Sequence, residues 1–205
     1  MSILVLGAKG SMGRRWSSIL TRLGQKIKRA DLEWEQTLDT RGVDRVVLAT
    51  PTSTHYRYIK FFAAKNIPIL CEKPACTASN EILQLQKDVR VDFRVVCNWS
   101  YVLPDRLLPE KNEIIYRNKT SGNDGLAWDC IQLIYLSADY KCDLGVGVPW
   151  YIVINGVTIT PKMIEDSYTK MMADWLRHPE RLWSMEDAVR QIIKCEGFIK
   201  LKSQE

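Results

Sequence analysis

Short aliphatic runs alternate with stretches of helical periodicity along the first half of the chain. Ser2–Leu6 is apolar and stops at Gly7, and Ser11–Leu23 follows with Met12, Trp16, Ile19, Leu20 and Leu23 at helical spacing. The same succession recurs at Arg45–Ala49 before His55–Lys65 and at Ile67–Cys71 before Ser79–Val89. Gln25–Ala30 is a more charged strand, and Phe93–Cys97 supplies one more. Strands interleaved with helices predict a parallel sheet wound by right-handed crossovers. Val46-Val47-Leu48-Ala49 is apolar throughout, as in a strand buried on both faces, and His55–Lys65 places Ile59, Phe62 and Ala63 on one side to cover it. Residues 1–98 are therefore expected to form a doubly wound α/β domain.

From residue 99 the pattern changes. Leu103–Asp124 is rich in Pro, Asn and charge and reads as irregular connection. Trp128–Leu136 is apolar enough for a buried helix or a strand. Trp150–Thr160 carries Asn155-Gly156 between β-branched residues, a strong hairpin signal. Ser167–Leu176 and Ser184–Leu201 return to helical spacing, with Ser184 as an N-cap oxygen. A small α+β part, residues 99–205, is the expectation here.

Composition narrows the classes. With 46% hydrophobic and 26% charged residues the chain can bury a core. Its net charge of +5, from 29 Lys+Arg against 24 Asp+Glu, suits an anionic small ligand but is too small and too dispersed for a nucleic-acid surface. No apolar run approaches the roughly 18–20 residues that cross a bilayer, and the N-terminus lacks the features of a secretion signal. Cys71, Cys76, Cys97, Cys130, Cys142 and Cys195 are far apart, without C-x-x-C and with two histidines in the chain, so no metal set is expected. They read as reduced, buried thiols of a cytoplasmic protein.

The chemistry concentrates in the turns after the strands. Gly7-Ala8-Lys9-Gly10-Ser11-Met12-Gly13 joins the first strand to the first helix, where absent Cβ atoms let backbone approach a pyrophosphate at the helix's positive end. The spacing is G-x-x-G-x-x-G. Asp31 follows at the end of the second strand, where a carboxylate can accept from a ribose 2′-hydroxyl. Arg29 and Arg14 could instead pair with a 2′-phosphate, so NAD and NADP are both left open, with discrimination expected below about 100-fold.

Ala49-Thr50-Pro51-Thr52-Ser53-Thr54-His55 after the third strand and Glu72-Lys73-Pro74 after the fourth resemble the paired signatures of the Gfo/Idh/MocA oxidoreductases. Gly13-Arg14-Arg15 fits the family's first helix, and the likeness covers roughly residues 1–98, with a weaker echo at Met185–Phe198. The resemblance implies a Rossmann domain for NAD(P)(H), with Gly7, Lys9, Gly10, Ser11, Met12, Gly13, Arg14, Arg29, Asp31, Thr50, Pro51, Thr52, His55, Glu72 and Lys73 around the cofactor. It also implies a proton-transfer role for Lys73 beside the nicotinamide. A lysine has the right chemistry, since a hydroxyl proton must leave as hydride does and a carbonyl oxygen must gain one in reverse. His55 can alternatively cap or pack at its helix start.

The family's second domain is much larger than residues 99–205 allow, so a shortened one is expected. At the place of the family's catalytic His and Asp, this chain aligns Gln132 and Tyr135. Glutamine can orient a substrate oxygen but cannot shuttle a proton, so Lys73 would act with another acid such as Tyr135 or Asp129. Seven tryptophans, five of them from Trp99 to Trp183, either fill cores or form a flat aromatic pocket. The expected activity is hydride exchange between nicotinamide and a small hydroxyl or carbonyl compound, with a sugar derivative as the family default. Homo-oligomerisation is open. The competing reading is a nucleotide-binding module that has lost its active site, or one completed by another protein.

Overall fold

The computed structural model describes residues 1–31, 37–102, 111–118, 139–146 and 151–202. The chain divides into two compact units, one of Met1–Val96 with Met172–Val189 and one of Cys97–Met171 with Arg190–Glu205.

The first unit is built on a parallel sheet of β1 (Ser2–Leu6), β2 (Lys26–Ala30), β3 (Arg45–Leu48), β4 (Ile69–Cys71) and β5 (Phe93–Val95), in the order β2-β1-β3-β4-β5. Helices α1 (Ser11–Arg22), α2 (His55–Ala64) and α3 (Ser79–Asp88) form the crossovers. This is the expected α/β sheet. Its central strands are buried on both faces: Ile3, Val5, Leu6, Val46, Val47, Leu48, Ile69, Leu70 and Cys71 have no exposed surface. The helices contribute Trp16, Ile19, Leu20, Ile59, Phe62, Ile82 and Leu85, each fully buried and each worth about 1.5–3 kcal/mol of transfer free energy or more.

Register decides where the turns go. Leu6 pairs with Ala30 and with Leu48, Leu48 with Cys71, and Cys71 with Val95, so one row of residues crosses the whole sheet at its carboxyl edge. The glycine loop, Asp31, Thr50 and Lys73 all leave the sheet from that row. The strand order reverses between β1 and β3, and in open α/β sheets the crevice beyond such a reversal is where ligands bind.

Residues 172–189 join this unit through specific anchors. The Arg45 guanidinium donates to the Trp175 carbonyl at 2.5 Å and lies 5.3 Å over that indole. The Val95 N–H donates to the Trp183 carbonyl at 2.9 Å, extending the sheet by one antiparallel bridge, and Arg94 donates to the Leu182 carbonyl at 3.2 Å.

The second unit holds a mixed sheet, ordered β7-β6-β8-β9, from β6 (Lys111–Asn118), β7 (Asp139–Val146), β8 (Tyr151–Ile154) and β9 (Val157–Thr158). The hairpin at Asn155-Gly156 is present, with φ of 50° and 76°, and β8 and β9 are antiparallel. The irregular connection expected over Leu103–Asp124 is corrected in part, because Lys111–Asn118 is a strand. Its signal is faint: Ile114 and Tyr116 face inward, but polar residues flank them on both sides. Trp128–Leu136 lies outside the described residues. Helix α4 (Pro161–Arg177) begins six residues ahead of the periodic stretch, on a proline that tolerates the first turn, and Ser167 is one of its interior residues. Helix α5 (Met185–Lys202) starts on a capping box: Ser184 N–H donates to the Asp187 carboxylate at 2.9 Å while Asp187 N–H faces the Ser184 hydroxyl at 3.4 Å.

Candidate active site

The glycine loop is shaped by close backbone approach. Gly7 has φ +87°, and a Cβ there would lie 2.5 Å from the Ala49 carbonyl oxygen on the neighbouring strand exit. A Cβ on Gly13 would lie 2.0 Å from the Gly7 oxygen. These two glycines let the first turn of α1 fold back onto the strand end. Gly10 is different: it is the N-cap, at φ −68°, and its nearest would-be neighbour is 3.2 Å away. No side chain caps this helix start, and helix geometry leaves the N–H groups of Ser11, Met12 and Gly13 without acceptors in the helix. They form a donor cradle for an anion, the fit a pyrophosphate requires.

The loop is tied to β2 by Gly7 and Ala8 N–H groups, both donating to the Ala30 carbonyl at 2.9 and 3.0 Å. Asp31 therefore comes beside Lys9, with Nζ and Oδ2 3.8 Å apart. Arg29 lines the same cavity as Asp31 and Lys9. The Arg14 guanidinium donates to the Lys9 carbonyl.

The turns after β3 and β4 are joined by one imidazole. His55, 1% exposed, faces the Thr50 carbonyl with Nε2 at 2.8 Å and the Pro74 carbonyl with Nδ1 at 3.0 Å. A neutral ring donates to one of these, and the imidazolium alone satisfies both. Burial pulls its pKa below the ordinary value, opposed by the carbonyls of Thr50, Pro74 and Ala75. Within the turn after β3, the Thr54 hydroxyl donates to the Pro51 carbonyl at 2.7 Å and lies 2.8 Å from the Thr50 hydroxyl. Pro51 is exposed and Thr52 half-buried, at the mouth of this turn.

Glu72 points inward. Its Oε1 accepts from Trp16 Nε1–H at 2.8 Å and its Oε2 from the Lys73 N–H at 3.2 Å. Burial raises the carboxyl above the ordinary range, opposed by Lys73, the Trp16 and Lys73 hydrogen bonds and Arg15. Lys73 is half-buried, and the Lys73–Pro74 peptide is cis. Cys71 and Cys76, on either side of this turn, are buried free thiols, and burial pushes Cys76 up to about 12. Cys97 and Cys195 are likewise buried and free.

Comparison with known proteins bears on these turns. Residues 16–97 match the Gfo/Idh/MocA family, described as an oxidoreductase family with an NAD-binding Rossmann fold. Residues 16–97 are thus similar to a Gfo/Idh/MocA NAD-binding domain. The chain is similar to the rhizopine catabolism protein MocA of Rhizobium meliloti, at 32% identity over 98 residues, which are 48% of this chain and 30% of that protein. The match thus spans less than a third of that relative's length. In fold, it is similar to the WlbA dehydrogenase of Thermus thermophilus, solved with NAD and UDP-GlcNAcA, at a TM-score of 0.73, 14% identity, and 95% and 93% coverage of the two chains. A probable dehydrogenase from Thermotoga maritima gives a TM-score of 0.76 at 12% identity, covering 100% of this chain and 98% of that one.

Within the first unit the structure brings together Gly7, Lys9, Gly10, Ser11, Met12, Gly13, Arg14, Arg29 and Asp31 at one end of the crevice. Thr50, Pro51, Thr52, His55, Glu72 and Lys73 gather after β3 and β4. His55 and Glu72 are turned into the interior, where they hold the turns in place. Gln132 and Tyr135 lie outside the described residues, as do Trp128 and Trp150. Trp99 and Trp175 are buried, as core residues. Trp16 was an ordinary apolar helix position in the sequence, and nothing there marks it as the partner of Glu72. Among the described residues no group of three or more His, Cys, Asp and Glu side chains could hold a metal ion, and no helix is long and apolar enough to cross a membrane.

Proposed function

We propose that this chain is an NAD(P)-dependent oxidoreductase acting on a small hydroxyl or carbonyl compound, with a sugar derivative as the first class to screen. The observation that carries it is the His55 brace, which fixes the lysine-bearing turn against the Thr50 turn at the carboxyl edge of the sheet. The Ser11, Met12 and Gly13 N–H groups bind the pyrophosphate, and Asp31, Lys9 and Arg29 surround the adenosine ribose. Thr50, Pro51 and Thr52 line the path toward the nicotinamide. The bound nicotinamide supplies or takes up the hydride. Lys73 gives a proton to the substrate oxygen in reduction and takes it in oxidation. Gln132 orients a substrate oxygen and Tyr135 is a second proton donor. Buried reduced thiols fit a cytoplasmic enzyme.

The test is Lys73→Met, assayed by nicotinamide absorbance on substrates found in a screen of sugars, sugar acids and conjugated carbonyl compounds. Turnover should fall by roughly 10²–10⁴ while cofactor affinity stays close to wild type. Equal losses of rate and cofactor binding would make Lys73 a holding residue. Absence of turnover across the whole screen, with cofactor still bound, would favour a nucleotide-binding module.

A further inference from the structure

Between the glycine loop and the end of β2 lies a cavity of about 340 Å³ lined by Ala8, Lys9, Arg29, Ala30 and Asp31. Its two walls are tied together through the shared Ala30 carbonyl, which accepts from the Gly7 and Ala8 N–H groups. Among the described residues, the charges that line it are two cations and one carboxylate. Lys9 and Asp31 form a loose pair at 3.8 Å, with the lysine side chain 89% exposed and the carboxylate 33% exposed. A pair this exposed is weak and yields to a stronger acceptor. Arg14 is not part of the lining.

We propose that Lys9, from within the glycine loop, is the specificity-determining residue that admits a 2′-phosphate, so that the site accepts NADP(H) alongside NAD(H). This rests on the dinucleotide reading above. A phosphate monoester brings about −1.5 to −2 charges at neutral pH. Lys9 and Arg29 together set two positive charges against the phosphate and Asp31, whereas Arg29 alone leaves the phosphate facing an uncompensated carboxylate. When the 2′ position carries a hydroxyl, Asp31 accepts from it and Lys9 stays on the carboxylate, so the lysine contributes little. Lys9 therefore acts on one cofactor and is nearly silent toward the other.

The experiment is a fluorescence titration of NADPH and NADH with wild type, Lys9→Met and Asp31→Asn. Lys9 is exposed, so its replacement leaves the fold intact. The expected result is that Lys9→Met weakens NADPH by about tenfold or more and changes NADH by less than about threefold. Asp31→Asn should do the reverse, tightening NADPH and weakening NADH. The NADPH constant should also rise more steeply with added KCl than the NADH constant. If wild type binds both dinucleotides and Lys9→Met shifts them equally, or shifts neither, this inference falls and the dinucleotide reading stands. If wild type binds neither, both fall together.

Discussion

Trp16 and Glu72 are hydrogen-bonded at 2.8 Å across fifty-six residues of sequence, joining the helix that follows the glycine loop to the turn that carries Lys73. Both groups are buried, the indole fully and the glutamate to 7% exposure. The two halves of the crevice are thereby linked through the core, independently of any ligand.

That link has a cost when broken. Trp16→Phe keeps the aromatic packing but leaves Glu72 one donor short, so urea unfolding should show a loss of about 1–3 kcal/mol. The pH dependence follows from the raised Glu72 carboxyl. The folded chain keeps this proton at pH values where the unfolded chain has released it. Stability contributed by the protonated form is present at low pH and is lost as pH rises from about 4.5 through the folded value. Glu72→Gln should flatten that slope. An unchanged slope in the variant would assign the effect to other carboxylates.

The three glycines of the loop should separate on substitution. Gly13→Ala sets a methyl group 2.0 Å from the Gly7 oxygen, a backbone atom that cannot step aside, and should lower stability by several kcal/mol through overpacking. Gly10→Ala meets its first neighbour at 3.2 Å with an ordinary φ, so the fold should survive with a loss below about 1 kcal/mol. Thermal melts of the two variants should differ by well over a few degrees. Gly10→Val, which retains this backbone conformation but adds bulk at the helix start, should abolish saturable cofactor binding.

His55 predicts an acid-side effect. Its pKa is held below the ordinary 6.5 by burial, so the unfolded chain binds a proton that the folded chain resists. Stability from the neutral ring is present above pH 6.5 and is lost as pH falls through the folded value, with a slope of at most about 1.4 kcal/mol per pH unit. His55→Gln should remove the slope in urea midpoints measured from pH 7 downward. It should also weaken both turns it braces, raising the cofactor dissociation constant. A variant that loses the slope yet binds cofactor like wild type would make His55 a purely structural residue.

Much of the first unit was legible in the residues alone. Alternating apolar runs and amphipathic stretches determine a parallel sheet with covering helices, because each element must bury its apolar side and short connections leave few ways to do so. Glycine spacing, Asp31 and the Thr50 and Lys73 turns were equally visible, since each is a local backbone or side-chain requirement. Other features depend on partners distant in sequence. The strand at Lys111–Asn118 is one, because β-pairing draws its stability from a neighbouring strand and not from its own residues. The recruitment of Met172–Val189 through Arg45 and Arg94 is another. So are the inward turn of Glu72 onto Trp16 and of His55 onto two carbonyls. Burial and hydrogen-bond geometry belong to the assembled chain, and only the tertiary structure could decide that these two polar residues hold the site together from behind.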